Sequence, residues 1–224
     1  MLRIPFQTYK EQGHIMKLFD YDGPLITLIR KLWSILIAGI LFLICLIPVF
    51  TAGASFTALY DVTERNLKNS RGYVFGGFLE SLKENWRQTL PVGAVVAGVF
   101  ILFEADVYIL KSLLANGNPA GNLYVLIRVF QVLLILYSVW VYAQISRFRN
   151  ALKQILKNAL LLAVRHLGTT AGVFLLLAFG GIVIYILPIS ALVMPVLVTW
   201  FITALMERVF SLYDGDSKNE ETAA

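Results

Sequence analysis

The chain has 224 residues, 58% of them hydrophobic and only 15% charged, and its mean hydropathy is +0.73. Soluble domains carry about 25% charged and 45–50% apolar residues, so this composition excludes an ordinary water-soluble globule and points to a lipid bilayer as the main solvent. The net charge of +5 reads as topogenic charge and attraction to anionic lipid, with no nucleic-acid partner expected, and the single Cys45 excludes an intrachain disulfide.

Residues 1–31 form a polar, charged N-terminal segment with a turn signal at Asp22-Gly23-Pro24. Residues 32–50 carry no charge and are long enough to cross a hydrocarbon core. Thr51-Ala52-Gly53-Ala54 imitates a signal-peptide cleavage site. The long polar segment ahead of it and the length of the apolar run favour an uncleaved span. Pro48 weakens the helix end and Thr51 is placed to cap a new helix, so the small residues here read as a corner leading to a cytoplasmic-side helix. Residues 52–87 are polar and basic, helical in two pieces broken around Asn69-Ser70-Arg71-Gly72. In the second piece Phe78, Leu82, Trp86 and Leu90 form one apolar stripe at four-residue spacing, while Glu80, Lys83, Glu84 and Arg87 lie elsewhere around the helix.

A second span covers 90–114 and carries Glu104 and Asp106. A Gly/Asn/Pro-rich turn at 116–122 leads to a third span, 123–145, with Arg128 near its start. Residues 147–166 repeat the basic amphipathic pattern, with Phe148, Leu152, Ile155, Leu156 and Ala159 on one face and Lys153 and Lys157 on another. Residues 167–206 are uncharged, twice the length of one span, with Pro188 near the middle. They read as a hairpin of two spans, 167–187 and 189–207. The tail, 210–224, is polar and expected to be disordered.

The predicted fold class is all-α, a polytopic membrane helical bundle of about five transmembrane helices plus two amphipathic cytoplasmic-side helices, in one membrane domain over 32–209. The long apolar runs lack the two-residue alternation of a membrane barrel. The order span, basic helix, span occurs twice, over 32–114 and 123–189, an architectural repeat with poor residue similarity. Lys and Arg cluster after spans 1 and 3 and are absent between the spans that follow. With the N-terminus outside, twelve Lys and Arg lie on the cytoplasmic side and five outside, so the positive-inside rule favours N-out, C-in. Arg30 and Lys31 fit that arrangement badly. A re-entrant first segment, entering and leaving on the cytoplasmic side, is the reserve arrangement and places all 17 on one face.

Several segments resemble the YesL family, bacterial integral membrane proteins with a domain of unknown function. They are Phe19-Asp20-Tyr21-Asp22-Gly23-Pro24-Leu25, the proline-to-ALY signature from Pro48 through Ala58-Leu59-Tyr60, the Phe78-to-Gln88 pattern and Arg147-Phe148-Arg149-Asn150. Tyr142-Ala143-Gln144 departs from the apolar, proline-containing stretch of many members. The resemblance implies no chemistry. It implies a setting, since such proteins often accompany carbohydrate uptake systems of the ABC type.

Intramembrane acids are costly and usually face protein or water. An ion pair of Arg128 with Glu104 or Asp106 is therefore the leading expectation, with snorkelling and a proton or substrate relay as alternatives. Glu104 and Asp106 are two residues apart on a helix and point in different directions, so they are not a catalytic dyad. Thr51, Ser55 and Thr57 have no local base. His14, His166, Glu11 and Asp20 lack metal-ligand spacing, and no GxxxxGK[ST] loop is present. No cofactor, metal or enzymatic activity is expected. Gly168 and Gly172 form a lone GxxxG, and Gly180-Gly181 adds small surface, which together point to close helix packing within the chain. Lys83, Trp86, Arg87, Arg147, Arg149, Lys153 and Lys157 form the candidate lipid or partner face. The expected function is a non-catalytic accessory component associated with carbohydrate uptake in the bacterial plasma membrane. The alternative is a small transporter or channel using its intramembrane charges.

Overall fold

The structure is a computed structural model that describes residues 24–48, 51–68, 73–148 and 150–223, without the side chains of 24–28 and 214–223. The described residues form seven α-helices and no strand. Helix α1 is Pro24–Leu46 and α2 is Ala52–Val62, continuing as a π-helical turn over Thr63–Lys68. Helix α3 is Val74–Ala115, and a 3-10 turn at Pro119–Leu123 leads into α4, Tyr124–Arg147. Helix α5 is Leu152–Arg165 and α6 is Leu167–Ile186. A 3-10 turn at Pro188–Leu192 then precedes α7, Met194–Ala223. Among the described residues, five helical segments are long and apolar enough to cross a membrane, as the sequence pattern requires.

The element boundaries depart from expectation in ways local chemistry explains. Helix α1 starts at Pro24 rather than 32, because proline suits the first helical position, where its missing N–H removes no hydrogen bond. The expected amphipathic helix and second span are one continuous α3 of 42 residues with Pro91 inside it. Its length is about 63 Å at 1.5 Å per residue, twice a hydrocarbon core of about 30 Å. Thr89, just before the proline, donates its hydroxyl to the Asn85 carbonyl at 2.9 Å. At the other end, α7 runs through Ala223 across the segment expected to be a disordered tail, where Lys218, Glu220, Glu221 and Ala223 are good helix formers.

Thr51 does not cap α2. It has helical backbone angles and makes no side-chain cap bond. Its hydroxyl instead lies 2.5 Å from the Cys45 carbonyl and 2.7 Å from the Pro48 carbonyl, taking up acceptors left over at the end of α1. Helix α2 is not a surface helix either, because every residue except Ala52 and Phe56 is buried. Small residues make this possible. A Cβ on Gly53 would stand 2.5 Å from the Tyr142 ring of α4.

Helices α1 and α2 pair antiparallel. Arg30, Lys31 and Ser34 share a cavity with Asn66 and Leu67, whereas Cys45 and Pro48 lie beside Thr51 and Ala54. Helix α3 then runs antiparallel to α2, with Gly77 beside Asn66 and with Leu82, Trp86 and Leu90 beside Ala54. Its second half pairs with α4, and α6 pairs with α7 through Gly172 against Leu205 and Gly180 against Val198. Gly168 and Gly181 face open space, so the expected small-residue packing uses one glycine of each pair.

Two apolar clusters hold the bundle. One joins α2, α3, α4, α5, α6 and α7 around Tyr60, Val92, Trp140, Ile155, Val173, Met206 and Phe210. The other joins α1, α2, α3 and α7 around Ala38, Leu59, Phe78 and Val196. Trp140 meets Phe210 edge-on with centroids 6.1 Å apart, and its indole N–H donates to Thr170 at 3.1 Å, which satisfies the one polar group of a fully buried indole. The outward faces of α3, α4 and α6 carry exposed Ile101, Leu102, Val129, Phe130, Leu175 and Phe179. A bilayer is the solvent that suits such faces.

Candidate functional site

Two of the three candidate intramembrane charges, Arg128 and Glu104, bond to each other. Arg128 on α4 donates to both carboxylate oxygens of Glu104 on α3, at 2.5 and 3.2 Å. This is the bidentate fork that matches guanidinium to carboxylate. Gln131, three residues on and on the same face of α4, accepts from Arg128 at 2.7 Å and donates to Glu104 at 3.2 Å. Gln131 is buried while the two charged side chains stay about half exposed. Asp106 is exposed on another face of α3 and takes no part in the cluster. The structure therefore selects Glu104 as the partner of Arg128 and adds Gln131. Its three-residue spacing from Arg128 was the available signal for this contact.

A second polar cluster went unread in the sequence. Arg147, at the end of α4, pairs with Glu207 of α7, and Tyr60 of α2 donates to Glu207 at 3.1 Å. The Arg147 guanidinium also lies over the Phe148 and Phe210 rings, 5.8 and 5.9 Å from their centroids. Arg147 thus faces protein and does not belong to the outward basic face assigned to it above. Nearby on α2, Arg65 pairs with Asp61 at 2.8 Å and Lys68 with Glu64 at 3.4 Å. One turn before Arg147, Gln144 is buried, and its Nε2 has no hydrogen-bond partner among the described residues. The missed signal was Glu207 itself, an acid that ends a long uncharged run just as Arg147 ends another.

The remaining face residues are placed as follows. Lys83, Trp86 and Arg87 are exposed on α3 before Pro91, while Phe78 at the start of the same stripe is fully buried. On α5, Ile155 and Ala159 are buried and Leu152, Leu156 and Phe148 pack against the same core, as the amphipathic pattern requires. Lys153 and Lys157 point outward, joined farther along by exposed Leu160, Leu161 and Val164. Arg149 lies outside the described residues, as do His14, Glu11 and Asp20. His166 is 3.0 Å from the Tyr213 hydroxyl. Ser55 and Thr57 donate to the Thr51 and Gly53 carbonyls at 2.9 Å each, bonds that tie them to their own helix. No group of three metal-ligating side chains occurs among the described residues.

Helix count, apolar faces and internal ion pairs define a multi-pass, all-α protein of the membrane-spanning class. Residues 35–107, from within α1 into the second half of α3, match a family model described as "Protein of unknown function, DUF624". That description is compatible with the resemblance drawn from the signature residues. Neither a curated protein nor a solved structure matches the chain.

Proposed function

We propose that this protein is a non-catalytic accessory component of the bacterial plasma membrane, working by contact with a carbohydrate uptake system of the ABC type. The observation that supports a contact role is α5. Its inner face is packed into the core, while its outer face sets Lys153 and Lys157 beside exposed Leu160, Leu161 and Val164. A helix with cations and aliphatic side chains on its free face suits a protein or membrane-surface contact. The uptake setting comes from the family resemblance alone. The alternative, transport by the chain itself, calls for a polar path through the intramembrane charges. Glu104, Arg128 and Gln131 bond to one another, which favours a structural role joining α3 to α4. Crosslinking from native membranes, followed by affinity capture of the full chain, tests the contact. The expected result is a transporter subunit joined to photo-crosslinkers at Lys157 or Leu161. Capture without any transporter subunit would sink the accessory reading.

The same reading includes an orientation, and it reverses the one favoured by charge counting alone. Arg30 and Lys31 border one cavity with Asn66 and Leu67, so the start of α1 and the end of α2 belong on the same side of the bilayer. N-out would send these neighbours to opposite faces of a core about 30 Å thick. The reserve arrangement, with both termini cytoplasmic, keeps them together and gathers the basic residues flanking the helices on one side. Single cysteines at Lys31 and Lys68 in a Cys45→Ser background should both resist an impermeant thiol reagent in intact cells. Labelling of the Lys31 position alone would restore N-out.

A further inference from the structure

We propose that the cleft between the α3–α4 and α6–α7 hairpins holds a glycerolipid by its acyl chains, with the lipid's ester carbonyls accepting hydrogen bonds from Tyr142 and Thr199. Two cavities make up the cleft, of about 340 and 260 Å³. They adjoin, because Phe42 of α1, Phe56 of α2 and Leu177 of α6 line both. The larger is bounded by α3 and α4, and the smaller by α6 and α7. No charged side chain is among the described residues that line either one. A sugar or an ion would leave its polar groups unmatched against such walls, whereas a hydrocarbon chain matches them. Gly181 lines the smaller cavity, and a Cβ there would meet nothing within 4 Å, so the space reaches down to the helix backbone.

Two hydroxyls specify the kind of lipid. Thr199 lines the smaller cavity and is only 2% exposed. Thr57, Thr63, Thr89 and Thr203, equally buried, each donate to the carbonyl four residues back. The Thr199 hydroxyl makes no such bond and has no other partner among the described residues. Tyr142 lines the larger cavity at 7% exposure, with its phenol end against Gly53 and the Phe56 ring 6.3 Å away. Its hydroxyl likewise has no hydrogen-bond partner among the described residues. Buried hydroxyls normally find a partner, so two unmet donors lining an apolar cleft call for neutral acceptors carried by the ligand. Their depth suits esters. Tyr142 lies about 8 Å along α4 from Arg147, and Thr199 about 12 Å along α7 from Glu207, the residue paired with Arg147. A headgroup layer is about 5–8 Å thick, so Tyr142 falls where that layer meets hydrocarbon and Thr199 one turn deeper. A glycerolipid presents its two ester carbonyls at successive depths just there. This inference stands on the cleft alone and does not depend on the transporter-contact reading.

The test is native mass spectrometry of the full chain in detergent, with diacyl phosphatidylglycerol or its dialkyl ether analogue added. The two lipids share headgroup and chain length, and the ether has no carbonyl. Wild type should retain the ester lipid about 25-fold better, since each hydroxyl contributes about fivefold. Tyr142→Phe with Thr199→Val should bind both lipids alike. Because neither hydroxyl bonds within the protein, that double variant should also melt with wild type in lipid-free detergent. Thr203→Val removes a hydroxyl tied to its own helix and should keep the ester preference. Equal retention of the two lipids by wild type, a preference that survives in the double variant, or its loss in Thr203→Val overturns the proposal. A double variant that melts below wild type would show that the hydroxyls serve the fold, and displacement of the ester lipid by an equimolar isoprenoid quinone would assign the cleft to another carbonyl lipid. Either result likewise overturns it.

Discussion

Neutralising Glu207 by Glu207→Gln isolates the charge in the Arg147–Glu207–Tyr60 cluster. The glutamine keeps an oxygen able to accept from Tyr60, so the change removes the negative charge and little else. The side chains of Arg147 and Glu207 are 29% and 18% exposed, which places the pair between two regimes. Exposed ion pairs contribute about 0–1 kcal/mol, whereas breaking a fully buried pair costs about 3–5 kcal/mol. An intermediate loss of about 2 kcal/mol is expected, because Arg147 keeps its aromatic neighbours but loses its counter-charge. For a chain of this size that corresponds to a melting temperature lower by about 4–8 °C. Unfolding in detergent can be followed through reaction of the single Cys45, half-buried in the folded state, with a thiol-reactive dye. The double variant Arg147→Gln with Glu207→Gln should lose at least about 1 kcal/mol less than the sum of the single losses, the mark of direct coupling. Strict additivity, or a Glu207→Gln protein that melts with wild type, would refute the reasoning.

Three further outcomes follow from packing. A Cβ on Gly39 would collide with the backbone carbonyl of Leu192, whereas one on Gly98 meets nothing within 4 Å. Gly39→Ala should therefore lower the melting temperature sharply and Gly98→Ala should leave it unchanged or raise it slightly, as measured by the same dye assay. Glu104→Gln should reduce folded yield and stability in detergent, while Asp106→Asn, outside the cluster, should match wild type. Equal effects of the two would remove the distinction drawn between them. Thr170→Val leaves the Trp140 indole N–H without its acceptor and should cost about 1–3 kcal/mol, read as a lower unfolding midpoint with a shifted Trp fluorescence maximum.

The spans were legible because a bilayer imposes a simple rule on sequence, long uncharged runs, and the segments around 123–145, 167–187 and 189–207 lie close to α4, α6 and α7. The amphipathic face of α5 was legible for the same kind of reason, since Ile155 and Ala159 recur at helical spacing. What composition hid was α2. Its Gly, Ala, Ser and Thr residues look neither apolar enough for a span nor polar enough for a surface. Their small size lets α2 lie buried among α1, α3, α4 and α7, and its hydroxyls bond back to carbonyls of the chain. The Arg128–Glu104 pair was legible because two opposite charges at similar depth in neighbouring spans have few other partners. The Arg147–Glu207 pair was not, because both residues sit at span ends, where charge is ordinary and water is an available alternative.

The contact between Gly39 and Leu192 has a consequence for biosynthesis. Helix α1 leaves the ribosome well before the Pro188–Leu192 turn that packs against its glycine. Until then α1 must wait in the membrane with that groove unfilled, held only by α2 and the helices that follow. Packing of α1 is thus tied to synthesis of the Pro188–Leu192 turn. A chain truncated before Pro188 is expected to leave α1 loosely held and to be a preferred target for membrane quality-control proteases.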